Sequence, residues 1–324
     1  MVPPLLAAAL LVAALPSPGR AETAQRKGFD PWAGGKGPAE RALTGGVTTL
    51  RAPASTMIRV PKSTFFMGST PTEVLEAVLE CTHEPLGDRM RCNEMLFSNE
   101  LARHKVTLSA YWLDRTEVTV RAYQRCVALH RCRPVPYSRG ATRFDRPHFP
   151  VSLVTWQDAR DYCRFRGGRL PTEAEWERAA RGVTGRRFPW GNLYNSHVSN
   201  HGRLGQSPAD AGDGYAELAP VGSFPSGRTP DGFLDMAGNV SEWVNDRYAD
   251  SYPEARAVDP RGPKTNAGGE RVIRGGSYQS GVPWLRGTVR LAADPGVRRP
   301  WIGFRCARTD KRHAPIPATH PAPP

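Results

Sequence analysis

The clearest pattern of hydrophobic and polar positions lies in the stretch "LPTEAEWERAARG", residues 170–182. Thr172, with Glu175 three positions later, forms a capping box, a pair of side chains that opens many helices. Trp176 and the alanines that follow it at helical spacing give one apolar face, and Gly182 is a typical residue for ending a helix. The pattern predicts an amphipathic helix with this face buried in the core.

Two further segments carry helix signals, and two others alternate as strands do. Thr155 is a candidate N-cap for a helix in "VTWQDARDYCRFRGG" that ends at Gly167, and Thr119 is one for "VRAYQRCVAL". The stretch "MIRVPKSTFFMGST" predicts a pair of strands that opens the domain, and "HKVTLSAYWLDRTEVT" contains another strand. The 32 Gly and 31 Pro predict short elements joined by many loops.

Both ends of the chain differ in composition from the part between them. Leu5–Leu15 is an apolar run too short to span a bilayer, and "GRA", which ends at Ala21, has the small-residue pattern of a signal-peptide cleavage site. The expected organisation is a signal peptide over 1–21, a linker over 22–56, one domain over 57–308 and a Pro-rich disordered tail over 309–324. The mature protein is expected to be periplasmic or secreted, with no membrane span.

The formal net charge of +13 favours acidic partners such as anionic glycans, phospholipid surfaces or nucleic acid. The excess consists mostly of arginine spread along the chain, and the sequence has no helix-turn-helix, zinc-finger or aromatic RNA-binding signature. We therefore interpret the charge as a general surface property and expect no nucleic-acid partner.

Six cysteines suit an oxidising compartment, where disulfides persist. None is spaced as CxxC, which argues against a thiol redox motif or a zinc knuckle. Sequence alone does not fix their pairing. Short loops would be closed by Cys81 with Cys92 and by Cys126 with Cys132, and Cys163 and Cys306 would then remain for a long-range bridge.

Five motifs occur in one order along the central part of the chain: "RLPTEAEWERAARG", "FPWGN", "DGFLDMAGNVSEWVND", "RVIRGGSY" and "GFRCAR". Together they resemble the sulfatase-modifying-factor domain of formylglycine-generating enzymes, over essentially all of residues 57–308. The resemblance implies one compact, loop-rich α+β domain related to C-type lectins. It also implies that Cys306 pairs with Cys163.

The resemblance bears on activity through one short segment. Formylglycine-generating members of the family oxidise a sulfatase cysteine to an aldehyde, using oxygen and a copper(I) ion held by two cysteines just after "GGSY". The matching positions are Ser280 and Leu285. Soft thiolates select Cu(I), and a hydroxyl and an alkyl group do not replace them. Copper is therefore not expected at this position.

Two other residues of this segment, Ser277 and Arg290, match pocket positions of the family motif. One interpretation is a surviving peptide-binding groove. The other is a packed turn retained for folding, in which Gly275 and Gly276 allow a tight turn or a close backbone approach.

Two loops resemble the calcium sites of the family, and hard oxygen ligands suit calcium. In the first loop the side-chain oxygens would come from Asn200 and Asp213 and the backbone carbonyls from His201 and Tyr215. In the second loop the side chains would come from Asn239 and Glu242 and a carbonyl from Ala237. The alternative is that these polar groups only cap turns, as Asn and Asp often do.

The leading functional hypothesis is an exported, calcium-stabilised binding or accessory module for a protein, peptide or glycan partner. The second is an oxidoreductase of the same family, either a formylglycine generator or an enzyme of related oxygen-dependent chemistry with an altered site. A third is a structural component of an envelope assembly, which would be favoured if Trp284 and Leu285 fill the pocket.

Overall fold

The structure is a computed structural model. It describes residues 56–84, 92–137, 141–203, 211–252, 257–265 and 268–310. The predicted signal peptide, almost all of the predicted linker, and the chain beyond Asp310 lie outside the described residues. Among the described residues, no helix is long and apolar enough to cross a membrane.

Short helices and strands alternate with long connections, as the glycine and proline content predicts. The four α-helices of the described residues are α1 (Pro71–Thr82), α2 (Val120–Ala128), α3 (Trp156–Phe165) and α4 (Glu173–Arg181). The strands are β1 (Met57–Val60), β2 (Ser63–Met67), β3 (His104–Leu108), β4 (Tyr111–Asp114), β5 (Ser241–Arg247), β6 (Ala257–Val258), β7 (Arg271–Arg274), β8 (Arg290–Ala293), β9 (Ile302–Gly303) and β10 (Ala307–Thr309). The prediction of an α+β fold is confirmed.

All three helices that the sequence predicts are present with their predicted N-caps. Thr119, Thr155 and Thr172 each accept a backbone N–H from the first turn of α2, α3 and α4, and α4 ends at Gly182. Helix α1 was missed, although its signal is of the same kind. Thr70 forms a capping box with Glu73, and Pro71 occupies the first turn.

The strands form three small sheets, with strand orders β1-β4-β10, β2-β3-β6 and β8-β7-β5-β9. The expected pair of strands at the start of the domain exists, but its members do not pair with each other. β1 pairs with β4, and β2 pairs with β3, both antiparallel. The segment expected to hold one strand holds both β3 and β4. Local alternation identifies strands but not their partners, because pairing is decided by contacts far apart in sequence.

Disulfides connect the cysteines in three pairs. They are Cys81–Cys92, Cys126–Cys132 and Cys163–Cys306. The pairing agrees with the expected one, and it uses all six cysteines of the chain. The first two close short loops, and the third joins α3 to the segment just before β10 across 143 residues.

A chain of alternating charges runs through the interior between α4 and the β7–β8 pair. Arg181 Nη1 lies 3.0 Å from Glu177 Oε1, and the other oxygen of Glu177 lies 2.6 Å from Arg274 Nη2. Arg274 Nη1 is 3.3 Å from Glu173 Oε1, which accepts a 2.8 Å hydrogen bond from Arg290 Nε. All five side chains are almost completely excluded from solvent.

The buried arginines of this chain also satisfy backbone carbonyls. Arg274 donates to the carbonyl oxygens of Thr288 and Gly287, both at 2.9 Å. Burial raises the pKa of Glu173, but the guanidinium groups of Arg290 and Arg274 outweigh it, so that the pKa lies below its usual range. The carboxylate is therefore ionised, and the ion chain holds the turn between β7 and β8 against α4.

We predict that Glu177→Gln lowers the free energy of unfolding by about 3–5 kcal/mol, because it leaves Arg181 and Arg274 buried beside a neutral partner. Chemical denaturation followed by circular dichroism measures the change. The matched control is Glu76→Gln, since Glu76 pairs with Arg187 at 2.7 Å but is 48% exposed. That control should cost less than about 1 kcal/mol. Equal losses in both variants would contradict a structural role for the buried chain.

Candidate functional site

The segment that follows β7 makes a tight turn that only glycine allows. Gly275 and Gly276 have φ angles of 92° and 67°, in the left-handed region. A Cβ on Gly275 would lie 3.0 Å from the ring of Trp176, and one on Gly276 would lie 2.6 Å from the carbonyl oxygen of Trp284. Both glycines are therefore required by close packing as well as by backbone conformation.

The two serines of this turn bond to the turn itself. Ser277 donates its backbone N–H to Ser280 Oγ at 2.9 Å, and Ser277 Oγ accepts the N–H of Gln279 at 3.2 Å. Ser277 is buried. These two pocket candidates stabilise the turn by side-chain hydrogen bonds to the backbone, an arrangement typical of serine in loops.

Leu285, which the resemblance matches to the second copper-binding cysteine, is fully buried. It belongs to an apolar cluster with Phe188 and Ala237. The neighbouring Trp284 packs against Phe97, with ring centroids 5.7 Å apart, and contacts the apolar cluster of α1. The Leu285 side chain is thus part of the packed interior.

The region between α1 and β3 packs against this segment. The Glu84 carboxylate, just after α1, accepts the backbone N–H of Val282 at 2.7 Å, at the start of the 3-10 turn Val282–Leu285. Glu100 forms a two-pronged ion pair with Arg286, both bonds 2.8 Å. These contacts hold the segment that follows the "GGSY" residues against the region between α1 and β3.

The donor set of this segment does not fit a copper(I) ion. Copper(I) needs soft ligands such as thiolates. All six cysteines of the chain are in disulfides, so no thiol is available, and Leu285 has no donor atom. Ser280 Oγ accepts a backbone hydrogen bond within the turn.

Arg290, the third pocket candidate, lies in the ion chain. Its guanidinium group makes a two-pronged ion pair with Glu173, at 2.8 and 2.9 Å, and lies 4.1 Å from the centroid of the Tyr252 ring. Burial lowers its pKa, but the Glu173 carboxylate more than compensates, so the pKa lies above its usual range. In this structure its charge is neutralised by Glu173.

In the first predicted calcium set, hydrogen bonds hold the Asp213 side chain against the backbone of His201 and Tyr215. The Asp213 carboxylate accepts the backbone N–H of His201 at 2.7 Å and that of Tyr215 at 2.9 Å. Asn200 is buried; its Nδ2 donates to the carbonyl of Glu217, and its Oδ1 has no hydrogen-bond partner among the described residues. An unpartnered buried amide oxygen is a suitable ligand for a hard cation.

The second predicted set is more fully hydrogen-bonded. Both oxygens of Glu242 accept from Arg305 at 2.7 Å, and one also accepts from the indole of Trp176. Asn239 Oδ1 accepts the side chain of Asn200 and the backbone N–H of Ala219. The Asn200–Asn239 hydrogen bond, 2.9 Å long, joins the two predicted sets. Ala237 is buried against Leu285 and Phe188.

Two buried carboxyl groups beside these sets were missed in the sequence. Asn239 Nδ2 donates to Glu117 Oε1 at 3.0 Å, and the Glu117 and Asp235 carboxyl groups share a side-chain hydrogen bond. Burial raises the pKa of Glu117 well above its usual range, and the neighbouring Asp235 carboxylate raises it further.

A small cavity of about 10 Å³ lies beside Asn200, Asn239 and Asp235, and it has room for about one water molecule or ion. Its lining includes Asn200, Asp235, Asn239 and Ser199, and the hydroxyl of Ser199 also lacks a partner among the described residues. No cluster of three or more His, Cys, Asp or Glu side chains suited to a metal occurs in the described part of the chain. A cation here would therefore depend on amide, hydroxyl and carbonyl oxygens as well as carboxylates.

We predict that Leu285→Ala lowers the free energy of unfolding by about 2–5 kcal/mol, because it opens a cavity in a packed cluster. Leu193→Ala, at an 85% exposed position, is the control and should change stability by less than about 0.5 kcal/mol. Denaturant titration of both variants provides the comparison. A small effect of Leu285→Ala would mean that the segment is an open groove.

Comparisons with known proteins agree with this architecture. Residues 46–310 match the model of the sulfatase-modifying factor enzyme 1-like domain. A formylglycine-generating enzyme of Streptomyces coelicolor is 43% identical over 176 residues, which cover 50% of this chain and 53% of that protein. An inactive C-alpha-formylglycine-generating enzyme 2 of Bos taurus is 35% identical over 206 residues, covering 59% of this chain and 63% of that protein.

Among solved structures, PvdO from Pseudomonas aeruginosa superposes with a TM-score of 0.58 at 26% identity, covering 78% of this chain and 94% of that one. The chain spans about half the length of the formylglycine-generating enzymes that it matches. The family model covers most of the chain, in the part where the three predicted helices and the glycine turn lie. The chain therefore belongs to the sulfatase-modifying factor enzyme 1-like domain family.

Proposed function

We propose that this protein is a non-catalytic member of its family, a pseudoenzyme that acts outside the cytoplasm as a calcium-stabilised binding or accessory module for a protein or glycan. The observation that carries the non-catalytic part of the proposal is the packing of the positions matched to the copper cysteines, and the packing of Trp284 and Leu285 also favours the structural envelope component named above as the third hypothesis. Leu285 is buried in an apolar cluster, Ser280 caps a turn, and every cysteine is in a disulfide.

The compartment is supported by the disulfides. Three disulfides connect the six cysteines, and such bonds persist in secreted and periplasmic proteins but are rare in the cytosol. The predicted signal peptide, with cleavage after Ala21, is consistent with this assignment. Removal of residues 1–21 from the exported protein would be seen in its intact mass.

Calcium is proposed on the basis of the unpartnered oxygens. Asn200 Oδ1 and Ser199 Oγ are buried oxygens without hydrogen-bond partners among the described residues, and such groups cost free energy unless a water or a cation satisfies them. Asp213 and the carbonyls of His201 and Tyr215 would complete the first site. At the second site Glu242 is already paired with Arg305, so calcium there would have to share or replace that ion pair.

The alternative is an oxidoreductase of the same family. It is favoured by the 43% identity to a formylglycine-generating enzyme. This function would need oxygen-dependent chemistry with a ligand set other than two thiolates, because the chain offers no free thiol. One relative of this chain, at 35% identity, is named as an inactive C-alpha-formylglycine-generating enzyme.

Metal content of the purified mature protein separates the two functions. Elemental mass spectrometry after loading with Ca²⁺, Cu(I) or Fe(II) and desalting should find calcium and no stoichiometric copper or iron. Stoichiometric copper or iron, together with oxygen-dependent oxidation of a cysteine-containing peptide, would establish the oxidoreductase instead.

We predict that Asn200→Ala abolishes stoichiometric calcium retention and the increase in melting temperature that calcium produces, because it removes a buried oxygen ligand. Asn192→Ala is the control, since Asn192 also caps a loop through its side-chain oxygen but lies outside both sets. Thermal melts with calcium and with a chelator measure the shift. Equal calcium retention by wild type and Asn200→Ala would exclude the first site.

A further inference from the structure

The positive charge of this chain is concentrated in one segment. Residues 120–150 contain seven arginines, no lysine and a single acidic residue, Asp145. This short segment therefore carries +6 of the formal net charge of +13. It consists of α2, the loop closed by the Cys126–Cys132 disulfide, and the chain that returns to the start of α2. The charge is thus a local feature of the surface and not only a general one.

Most of these arginines have no acidic partner. Arg133 pairs with Asp158 and Arg143 with Glu217. The other four described arginines of the segment are exposed and form no ion pair with a described residue: Arg121, Arg125, Arg131 and Arg146. Their charges are therefore accessible to a binding partner.

An apolar cleft of about 210 Å³ lies in the same segment. Four valines and two tyrosines supply most of its lining: Val120, Val127, Val135, Val151, Tyr123 and Tyr137. Gln124 and Asp145 also line it and are exposed, so the cleft is open at this edge. A cavity of about 150 Å³ is enough to bind benzene, so the cleft has room for one phenyl or branched aliphatic side chain.

Helix geometry places the cleft next to the arginines of α2. Gln124 lies three positions after Arg121 and four after Val120, so it neighbours both on the helix surface. Arg125 follows Arg121 by four positions and lies on the same exposed stripe. An apolar hollow and a row of free positive charges therefore adjoin each other along one side of α2.

One acidic group lies at the edge of the cleft. Asp145 accepts a 2.8 Å hydrogen bond from Gln124 Nε2, and Arg146 follows it in sequence. Its single negative charge opposes an acidic partner, but the four unpaired arginines of the segment outnumber it. The surface as a whole remains positive.

The walls of the cleft are held in place before any partner binds. Val120 donates its backbone N–H to the carbonyl of Phe149 at 2.9 Å, and the Tyr123 hydroxyl donates to the carbonyl of Arg133 at 3.0 Å. The Cys126–Cys132 disulfide closes the loop between these two walls. A site that is already formed loses little conformational entropy on binding, which favours affinity.

We propose that this α2 surface, which comprises residues 120–137 and 145–151, binds an acidic segment of a partner protein that inserts one apolar side chain into the cleft. Buried apolar anchors surrounded by polar contacts are typical of protein interfaces. Opposite charges on the rim steer the partner and accelerate association. The inference rests on the proposed binding function and names its class of partner.

The cleft is what favours a polypeptide over other anionic partners. A glycan also carries negative charge, but its rings are covered with hydroxyl groups, which a valine-lined cleft would leave without hydrogen bonds. A phospholipid surface presents charged headgroups outward and keeps its apolar chains inside the bilayer. A peptide offers carboxylates and an apolar side chain in neighbouring residues, so it satisfies both parts of the surface at once.

The experiment is fluorescence anisotropy of the full mature protein with the fluorescein-labelled peptide Gly-Asp-Glu-Phe-Glu-Asp-Gly. Wild type should bind it saturably, with affinity that falls as sodium chloride is raised. A peptide with Asn in place of Phe, and one with Asn and Gln in place of the four acids, should each bind at least about tenfold more weakly, because each lacks one half of the match.

Variants assign the binding to this surface. The double variant Arg121→Gln, Arg125→Gln should weaken binding of the acidic peptide about tenfold, and Val127→Gln should weaken it by a similar factor because it puts an amide into the cleft. Arg308→Gln is the control for net charge, since Arg308 is exposed on β10, outside this surface, and should change affinity less than about twofold. Circular dichroism establishes that each variant is folded.

Four results would overturn the proposal. They are absence of saturable binding to wild type, equal weakening by Arg308→Gln and the double variant, equal affinity for the peptide that lacks Phe, and tighter binding of chondroitin sulfate or phosphatidylglycerol vesicles than of the peptide. The last would assign the arginines to a glycan or a membrane. The Arg125 side chain makes no hydrogen bond with the described residues, so Arg125→Gln alone tests the surface if the other variants fail to fold.

Metal content and oxidation of a cysteine peptide are measured on the same samples. Protein that holds calcium, lacks copper and iron and does not bind the acidic peptide would contradict this surface and leave the proposed function intact. Protein that holds stoichiometric copper or iron and oxidises the cysteine peptide would contradict the proposed function, whatever the acidic peptide does.

Discussion

Ion pairs between buried arginines and glutamates order the interior of this protein. Arg181, Arg274 and Arg290 are excluded from solvent and alternate with two glutamates of α4. An unpaired charge in such surroundings would cost several kcal/mol, so these side chains tolerate little displacement. α4 supplies both glutamates, and the β7–β8 pair supplies two of the arginines. The ion pairs therefore fix the position of the "GGSY" turn relative to α4.

That turn is packed into the interior. Leu285 lies in an apolar cluster, and Ser280 accepts a backbone hydrogen bond within the turn. Glu84, just after α1, and Glu100 bind the segment that follows the turn, through the backbone of Val282 and the side chain of Arg286. The ion chain, the two glycines and these contacts together leave the segment little freedom to move.

Sequence reasoning recovers what is local. The capping boxes and N-caps located α2, α3 and α4 because a cap is a contact between residues three positions apart. The same signal at Thr70 and Glu73 was available and overlooked. The partners of β1 and β2 lie about 40 to 60 residues away in sequence, and Arg274 and Arg290 pair with the glutamates of α4 across about 100 residues. No periodicity within a short window of sequence reports contacts at these separations, and the same holds for the contact between Glu117 and Asn239.

The disulfide between Cys163 and Cys306 affects what happens when a protease cleaves the chain. Its 143-residue loop holds β5, β7 and β8, together with all residues of both predicted calcium sets. A protease that cuts one peptide bond anywhere in that loop therefore leaves the two fragments covalently joined, with α4 and β8 still held by their ion pairs. Under reducing conditions the same cut would separate the polypeptide into two pieces. The disulfide thus keeps the protein in one covalent piece after a single cut in a surface loop. This protection is distinct from thermodynamic stability.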